Sequence, residues 1–124
     1  MRNQPKYSIF KNARYAMEGF FEVFQHETSF KIEVILSIVV WIGLLFVPMP
    51  LIAKAVLALS MLLVLIAELA NSAIERVVDL VTREKHTLAK HAKDAGATMV
   101  LFTVIFTIVV WLVTLYIVYL QPAQ

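Results

Sequence analysis

The stretch that most limits what this chain can fold into lies near its C-terminus. From Ala95 to Leu120 there is no Asp, Glu, Lys, Arg or His, and Val, Ile, Leu and Phe dominate. A helix needs about 20 such residues to cross the roughly 30 Å hydrocarbon core of a bilayer, so this run can span a membrane. Two further stretches meet the same condition less cleanly. One starts after Lys54 and is uncharged from Ala55 to Ala67; the other, Val34 to Val47, is short and needs Phe30 and Ile32 to complete it. Between them Pro48-Met49-Pro50 makes a sharp connection, because neither proline donates a helical hydrogen bond. The expected fold is therefore an all-α integral membrane protein, one domain over 1–124, with transmembrane helices at 30–47, 51–74 and 95–120. A chain that is 60% hydrophobic and 16% charged excludes a soluble domain. The absence of cysteine excludes disulfide scaffolds and thiolate metal centres, and a net charge of +2 gives no reason to expect nucleic acid as a partner.

The positive charges orient the spans. Arg2, Lys6, Lys11, Arg14 and Lys31 precede or open the first, Lys54 alone lies near the first connection, and Arg76, Arg83, Lys85, Lys90 and Lys93 separate the second from the third. The positive-inside rule then puts the N-terminus and the second connection in the cytoplasm and the C-terminus, Gln121 to Gln124, outside. No apolar run of signal-peptide type opens the chain, so the spans are expected to persist in the mature protein. Before the first span, Tyr7, Phe10, Arg14, Met17, Phe21 and Phe24 recur at three- to four-residue steps, which predicts an amphipathic helix over 6–26. It either lies in the membrane interface or docks on the cytoplasmic connection.

The second span carries acids where it should still be in lipid. At roughly 100° per residue, Glu68, Asn71, Glu75 and Asp79 fall at about 0°, 300°, 340° and 20°, one polar stripe on one helix face. A carboxylate at mid-bilayer costs about 2.5–3.5 kcal/mol on insertion scales, so the stripe must face protein, water or a cation. Asn71 and Ser72 alone would suit hydrogen-bonded helix packing. Three acids suit it poorly and suit Mg²⁺, a hard cation that one or two carboxylates hold while water and nucleotide phosphates complete its shell. Glu27, at the edge of the first span, offers a ligand from a second helix, and Lys93, at the foot of the third, a cation for phosphate. Gly19, Gly43 and Gly96 are too dispersed for a phosphate loop, and His26, His86 and His91 lack zinc spacing.

Glu68-Leu69-Ala70-Asn71-Ser72-Ala73-Ile74-Glu75-Arg76-Val77-Val78-Asp79, then Glu84-Lys85-His86, then Ala92-Lys93-Asp94-Ala95-Gly96, closely resembles the signature of the small bacterial integral-membrane diacylglycerol kinases. The resemblance runs from Lys11 through the third span. It implies a homotrimer of three-span subunits with an interfacial N-terminal helix, transferring the γ-phosphate of MgATP to diacylglycerol in the bacterial inner membrane. Carried over by position, Glu68 becomes the general base and Asn71 an organiser of the stripe. Glu27 and Glu75 become the Mg²⁺ ligands, and Tyr15, Asp79, Glu84, Lys85, His86, Lys93 and Asp94 join them as nucleotide contacts. Lipid contacts fall on Asn12, Ala13, Arg14, Tyr15, Ala16 and Met17, on Thr28, Ser29, Phe30, Lys31 and Ile32, and on Phe46, Lys54, Glu68 and Ala97. The chain departs from the family at Ser8, where an Arg is usual. Three other readings compete. A polyprenol kinase shares the architecture; a small proton-coupled transporter shares the intramembrane Glu but normally has four spans; a non-catalytic helical partner would not need Glu68.

Overall fold

The computed structural model describes residues 6–122; Arg2 and the last two residues of the C-terminal tail fall outside them. Four helices follow in order: α1 Ile9–His26, α2 Thr28–Phe46, α3 Leu51–Val81 and α4 Thr87–Leu115, the last continued by a π-helical turn Tyr116–Leu120. Three of these, Thr28–Phe46, Leu51–Val81 and Thr87–Leu120, are long and apolar enough to cross a membrane. There are no strands among the described residues.

The boundaries differ from the sequence expectation in an instructive way. The first helix begins at Ile9 rather than at position 6, with the extended backbone of Ser8 at its N-cap. At the other end a single residue, Glu27, breaks the chain between two helices: its φ of −116° and ψ of 110° are extended, and it caps α1 and opens α2 at once. The second membrane helix extends beyond the expected span of 51–74. It runs to Val81, so that at 1.5 Å per residue α3 is about 46 Å long, well beyond a roughly 30 Å hydrocarbon core. Likewise α4 starts at Thr87, ahead of the uncharged run, with the His86 ring accepting from Leu88 N at 3.1 Å as its cap.

The most extensive helix pairing is α3 with α4, while the buried hydrophobic cluster lies where α1, α2 and α3 meet. Val23, Phe30, Val34 and Leu65 form the buried cluster, with Phe20, Phe24, Trp41 and Leu69 against it. Phe20 and Phe30 meet edge to face with ring centroids 5.5 Å apart, a favoured aromatic geometry. Phe30, expected among the lipid contacts, is 0% exposed within the chain and seats α1 on α2 and α3. Within the spans, side chains hydrogen-bond to backbone across helices, as bilayer helices do in place of a hydrophobic drive between them. Trp41 Nε1 donates to Ala58 O at 3.2 Å, Thr107 Oγ1 to Ser60 O at 2.9 Å, and Tyr119 OH to Pro48 O at 3.1 Å. Ile9, Phe10, Met17 and Phe21 leave much of α1's remaining surface apolar and open.

Candidate active site

The site grows from the break at Glu27. Because the chain turns there, the Glu27 carboxylate leaves the α1–α2 corner and crosses to α3, where the buried Ser72 hydroxyl and the Arg76 guanidinium both donate to its Oε1, the latter at 3.2 Å. Arg76 also pairs with Glu22 of α1. One turn of α3 therefore holds the corner carboxylate through two side chains. On the same turn Glu75 accepts from Asn71 Nδ2 at 3.2 Å, the i, i+4 relation expected of a helical stripe.

Deeper along α3 is Glu68, half-buried, with the carboxyl of Glu33 on α2 directly beside it and those of Glu27 and Glu75 near enough to act on its charge. Glu33 was not among the expected site residues. Its Oε2 is buried without a hydrogen-bond partner, as is Asn71 Oδ1. The pattern that should have revealed it is the one applied to α3: a carboxylate inside a helix that crosses lipid is costly and must face protein. Asn71 is held from the other side by Gly96 of α4, the only residue of that helix that is fully buried. A Cβ at Gly96 would collide with Asn71 Oδ1 and come 3.3 Å from Asn71 Cγ. Glycine is thus required here for close approach of α4 to α3, not for an unusual backbone angle.

Beyond the stripe, where α3 ends and α4 begins, lies a cavity of about 570 Å³. Its lining includes Asp79, Glu84, Lys85, His86, Lys93 and Asp94, six of the expected nucleotide contacts, together with Arg83 and Lys90. Lys93 Nζ donates to Asp79 Oδ1 at 2.6 Å, and Lys90 Nζ to Asp94 Oδ2 at 2.5 Å. Arg83 and Lys85 make no ion pair with the described residues. Since His86 spends Nδ1 on capping α4, only its other ring nitrogen is left for a ligand.

The remaining expected residues divide. On α1, Asn12, Ala13, Arg14, Tyr15, Ala16 and Met17 are exposed, with Arg14 paired to Glu18 at 2.8 Å. Thr28, Ser29 and Ile32 are exposed at the start of α2, where Lys31 reaches over the Phe24 ring at 5.6 Å, and Ala97 is exposed on α4. Phe46 and Lys54 are not brought to this group. Phe46 ends α2, about 27 Å from Thr28 along the helix axis, and Lys54 stands in the first turn of α3 beside it, where its Nζ donates to Leu45 O at 3.3 Å.

A sequence model of the prokaryotic diacylglycerol kinases matches residues 14–115. The chain belongs to that family. It is 32% identical over 108 residues to the diacylglycerol kinase of Escherichia coli, covering 87% of this chain and 88% of the relative. It is 32% identical over 103 residues to that of Haemophilus influenzae, covering 83% and 87%, and 40% identical over 93 residues to that of Pseudomonas aeruginosa, covering 73% and 76%. Membership of a kinase family, together with three rather than four candidate spans, sets aside the transporter and the non-catalytic partner. The protein is a multi-pass membrane kinase of bacterial type.

Whether the residues suit a divalent metal can be tested on their donors. No group of three or more metal-type side chains occurs among the described residues. Two hard carboxylates, Glu27 and Glu75, each lie near enough to Glu68 to act on its charge, and the amide of Asn71 that donates to Glu75 keeps a buried oxygen with no partner among the described residues. That donor set fits Mg²⁺ bound with a nucleotide, which keeps several waters and takes phosphate oxygens, and does not fit a cage made by protein alone.

Proposed function

We propose that this chain transfers the γ-phosphate of ATP to the hydroxyl of diacylglycerol, producing phosphatidic acid at the cytoplasmic face of the inner membrane. One observation carries the reading: a single helix, α3, bears an intramembrane carboxyl, Glu68, and about 16 Å further along its axis opens into the cation-rich cavity at Asp79. Phosphoryl transfer asks little covalent chemistry of a protein. It needs positioning, charge neutralisation and a base near the acceptor hydroxyl. Glu68 is the base, and it meets an alcohol whose headgroup already lies at the membrane boundary. Glu27 and Glu75 hold Mg²⁺, which when bound neutralises phosphate charge. Asn71 positions Glu75. Arg83, Lys85 and Lys93 draw the triphosphate into the cavity, while Tyr15, Asp79, Glu84, His86 and Asp94 complete its contacts. Residues 12–17, together with Thr28, Ser29, Lys31, Ile32 and Ala97, receive the lipid near its headgroup, leaving Phe46 and Lys54 to meet acyl chains.

The N-terminus and the α3–α4 connection face the cytoplasm, in keeping with the five Lys and Arg between the second and third spans. Three copies assemble, each site completed by a neighbour. The long apolar window of α4 buries none of its residues within one chain, which leaves that helix free to meet lipid and other copies.

The test is transfer of labelled phosphate from MgATP by the protein in vesicles that contain either diacylglycerol or a polyprenol. Label is expected in phosphatidic acid, and Glu68→Gln should cut turnover at least about 100-fold, the lower range for loss of a general base, without loss of folding. Label in the polyprenol alone would reassign the acceptor. Wild-type turnover in the variant would remove Glu68 from the base role.

A further inference from the structure

Arg76 of α3 pairs with two carboxylates at once: its guanidinium meets Glu22 of α1 through one nitrogen and Glu27 of the α1–α2 corner through the other, the latter at 3.2 Å. It therefore sits on the carboxylate that would hold a metal, at Glu27 Oε1, and is next in sequence to Glu75, the other carboxylate of the pair. A guanidinium and a divalent cation on one carboxylate repel each other and share its charge, so each weakens the other's hold. Arg76 has somewhere to go. Glu22 keeps one end of its fork whether or not Glu27 is released, and the side chain is 44% exposed, so a shift toward Glu22 leaves no charge stranded in the membrane.

We propose that Arg76 is a resident counter-ion for the metal site: it neutralises Glu27 when no metal–nucleotide is present and yields it to the metal, retreating onto Glu22, when one binds. Arg76 is thus a positioning residue that sets how strongly the site takes up its divalent cation and links that uptake to the seating of α1. The inference rests on Glu27 being a metal ligand, the reading given above. Planarity matters to it. A guanidinium presents two nitrogens in a fixed fork and can bridge two carboxylates at once, whereas a lysine ammonium is a point charge on a flexible stem.

The experiment measures Mn²⁺ binding to the full chain in bilayer discs by electron paramagnetic resonance, with Mn²⁺ alone and with Mn²⁺ plus a non-hydrolysable ATP analogue. Arg76→Gln is expected to bind Mn²⁺ about tenfold more tightly than wild type. Glu22→Gln should bind it several-fold more weakly, because Arg76 then leans wholly on Glu27. A mere tether between α1 and α3 predicts that these two variants behave alike, so similar changes in both overturn the proposal. Unchanged or weaker binding in Arg76→Gln also overturns it, provided that Glu27→Gln weakens Mn²⁺ binding. If Glu27→Gln does not weaken it, the metal assignment of Glu27 fails and the role of Arg76 fails with it. A spin label on α1 supplies the structural readout: in wild type, Mn²⁺ with the analogue should change its distance to α3, and in Arg76→Gln it should not.

Discussion

Gly96→Ala should be the most revealing small change in this protein. The added Cβ meets Asn71 Oδ1 at less than contact distance and Asn71 Cγ at 3.3 Å, while Ile74 Cδ1 at 3.6 Å is in ordinary contact. Overpacking of this kind costs about 1–3 kcal/mol, and replacing a mid-helix glycine by alanine returns roughly 0.5–1 kcal/mol of backbone entropy. The net loss of stability should be about 1–2 kcal/mol, readable by reversible unfolding in mixed micelles. Activity should suffer more. The Asn71 amide can move away only by giving up its hydrogen bond to Glu75, a bond to a charged group worth about 1.5–3 kcal/mol, which corresponds to roughly ten- to hundredfold in turnover if it is fully expressed at the transition state. The double variant with Asn71→Ala decides between causes. With the amide gone there is nothing for the Cβ to strike, so Gly96→Ala should then be neutral or slightly stabilising, giving a coupling of about 1–3 kcal/mol between the two positions. If Gly96→Ala destabilises equally with Asn or Ala at position 71, the close approach of α4 to Asn71 is not what the glycine serves.

Phe30→Ala removes a fully buried ring from the junction of α1, α2 and α3 and should cost about 3–5 kcal/mol, with lipid KM unchanged in the protein that remains folded. A raised lipid KM at unaltered stability would instead make it a lipid contact. Lys93→Ala breaks a half-exposed pair with Asp79 worth about 0–1 kcal/mol, so stability should hardly move while the KM for ATP rises about tenfold. A change confined to lipid KM would contradict the nucleotide role. At Glu33, Gln keeps volume and hydrogen-bonding capacity beside Glu68 whereas Leu keeps about the volume alone, so turnover in Glu33→Leu should fall about tenfold below that in Glu33→Gln, a difference of about 1.4 kcal/mol. Equal rates in the two variants would show that the carboxyl contact does no more than fill space.

What could be read from the chain was whatever repeats along one helix. The three spans follow from apolar runs, and the Glu68, Asn71, Glu75, Asp79 stripe from helical spacing, and the Asn71–Glu75 bond shows that spacing at work. Helix ends were less legible. Hydropathy falls after residue 74, but the backbone hydrogen bonds that extend α3 to Val81 do not depend on hydropathy. A histidine N-cap on α4 has no place among the usual capping residues. Glu33 lies just before the uncharged run that begins at Val34, so the apolar pattern that marks the first span does not single it out. The links from Arg76 to Glu22 and Glu27, which are 54 and 49 positions away, and from Lys93 to Asp79 are tertiary, and nothing local announces them.

The length of α3 ties these observations to the chemistry. A helix that entered the hydrocarbon core at Leu51 would leave it after about 20 residues, near Asn71. Glu68 then lies just inside the boundary, Glu75 just outside, and Asp79 in water beside the cavity. A lipid alcohol can approach the first without leaving the bilayer, and a triphosphate can approach the last without entering it. Neither substrate has to cross the interface, because the helix crosses it for them. The corner at Glu27 then has a reason to exist: a straight continuation of α1 into α2 would carry this carboxylate away from α3, whereas the one-residue break turns it onto Ser72 and Arg76 at the depth where the two substrates would meet.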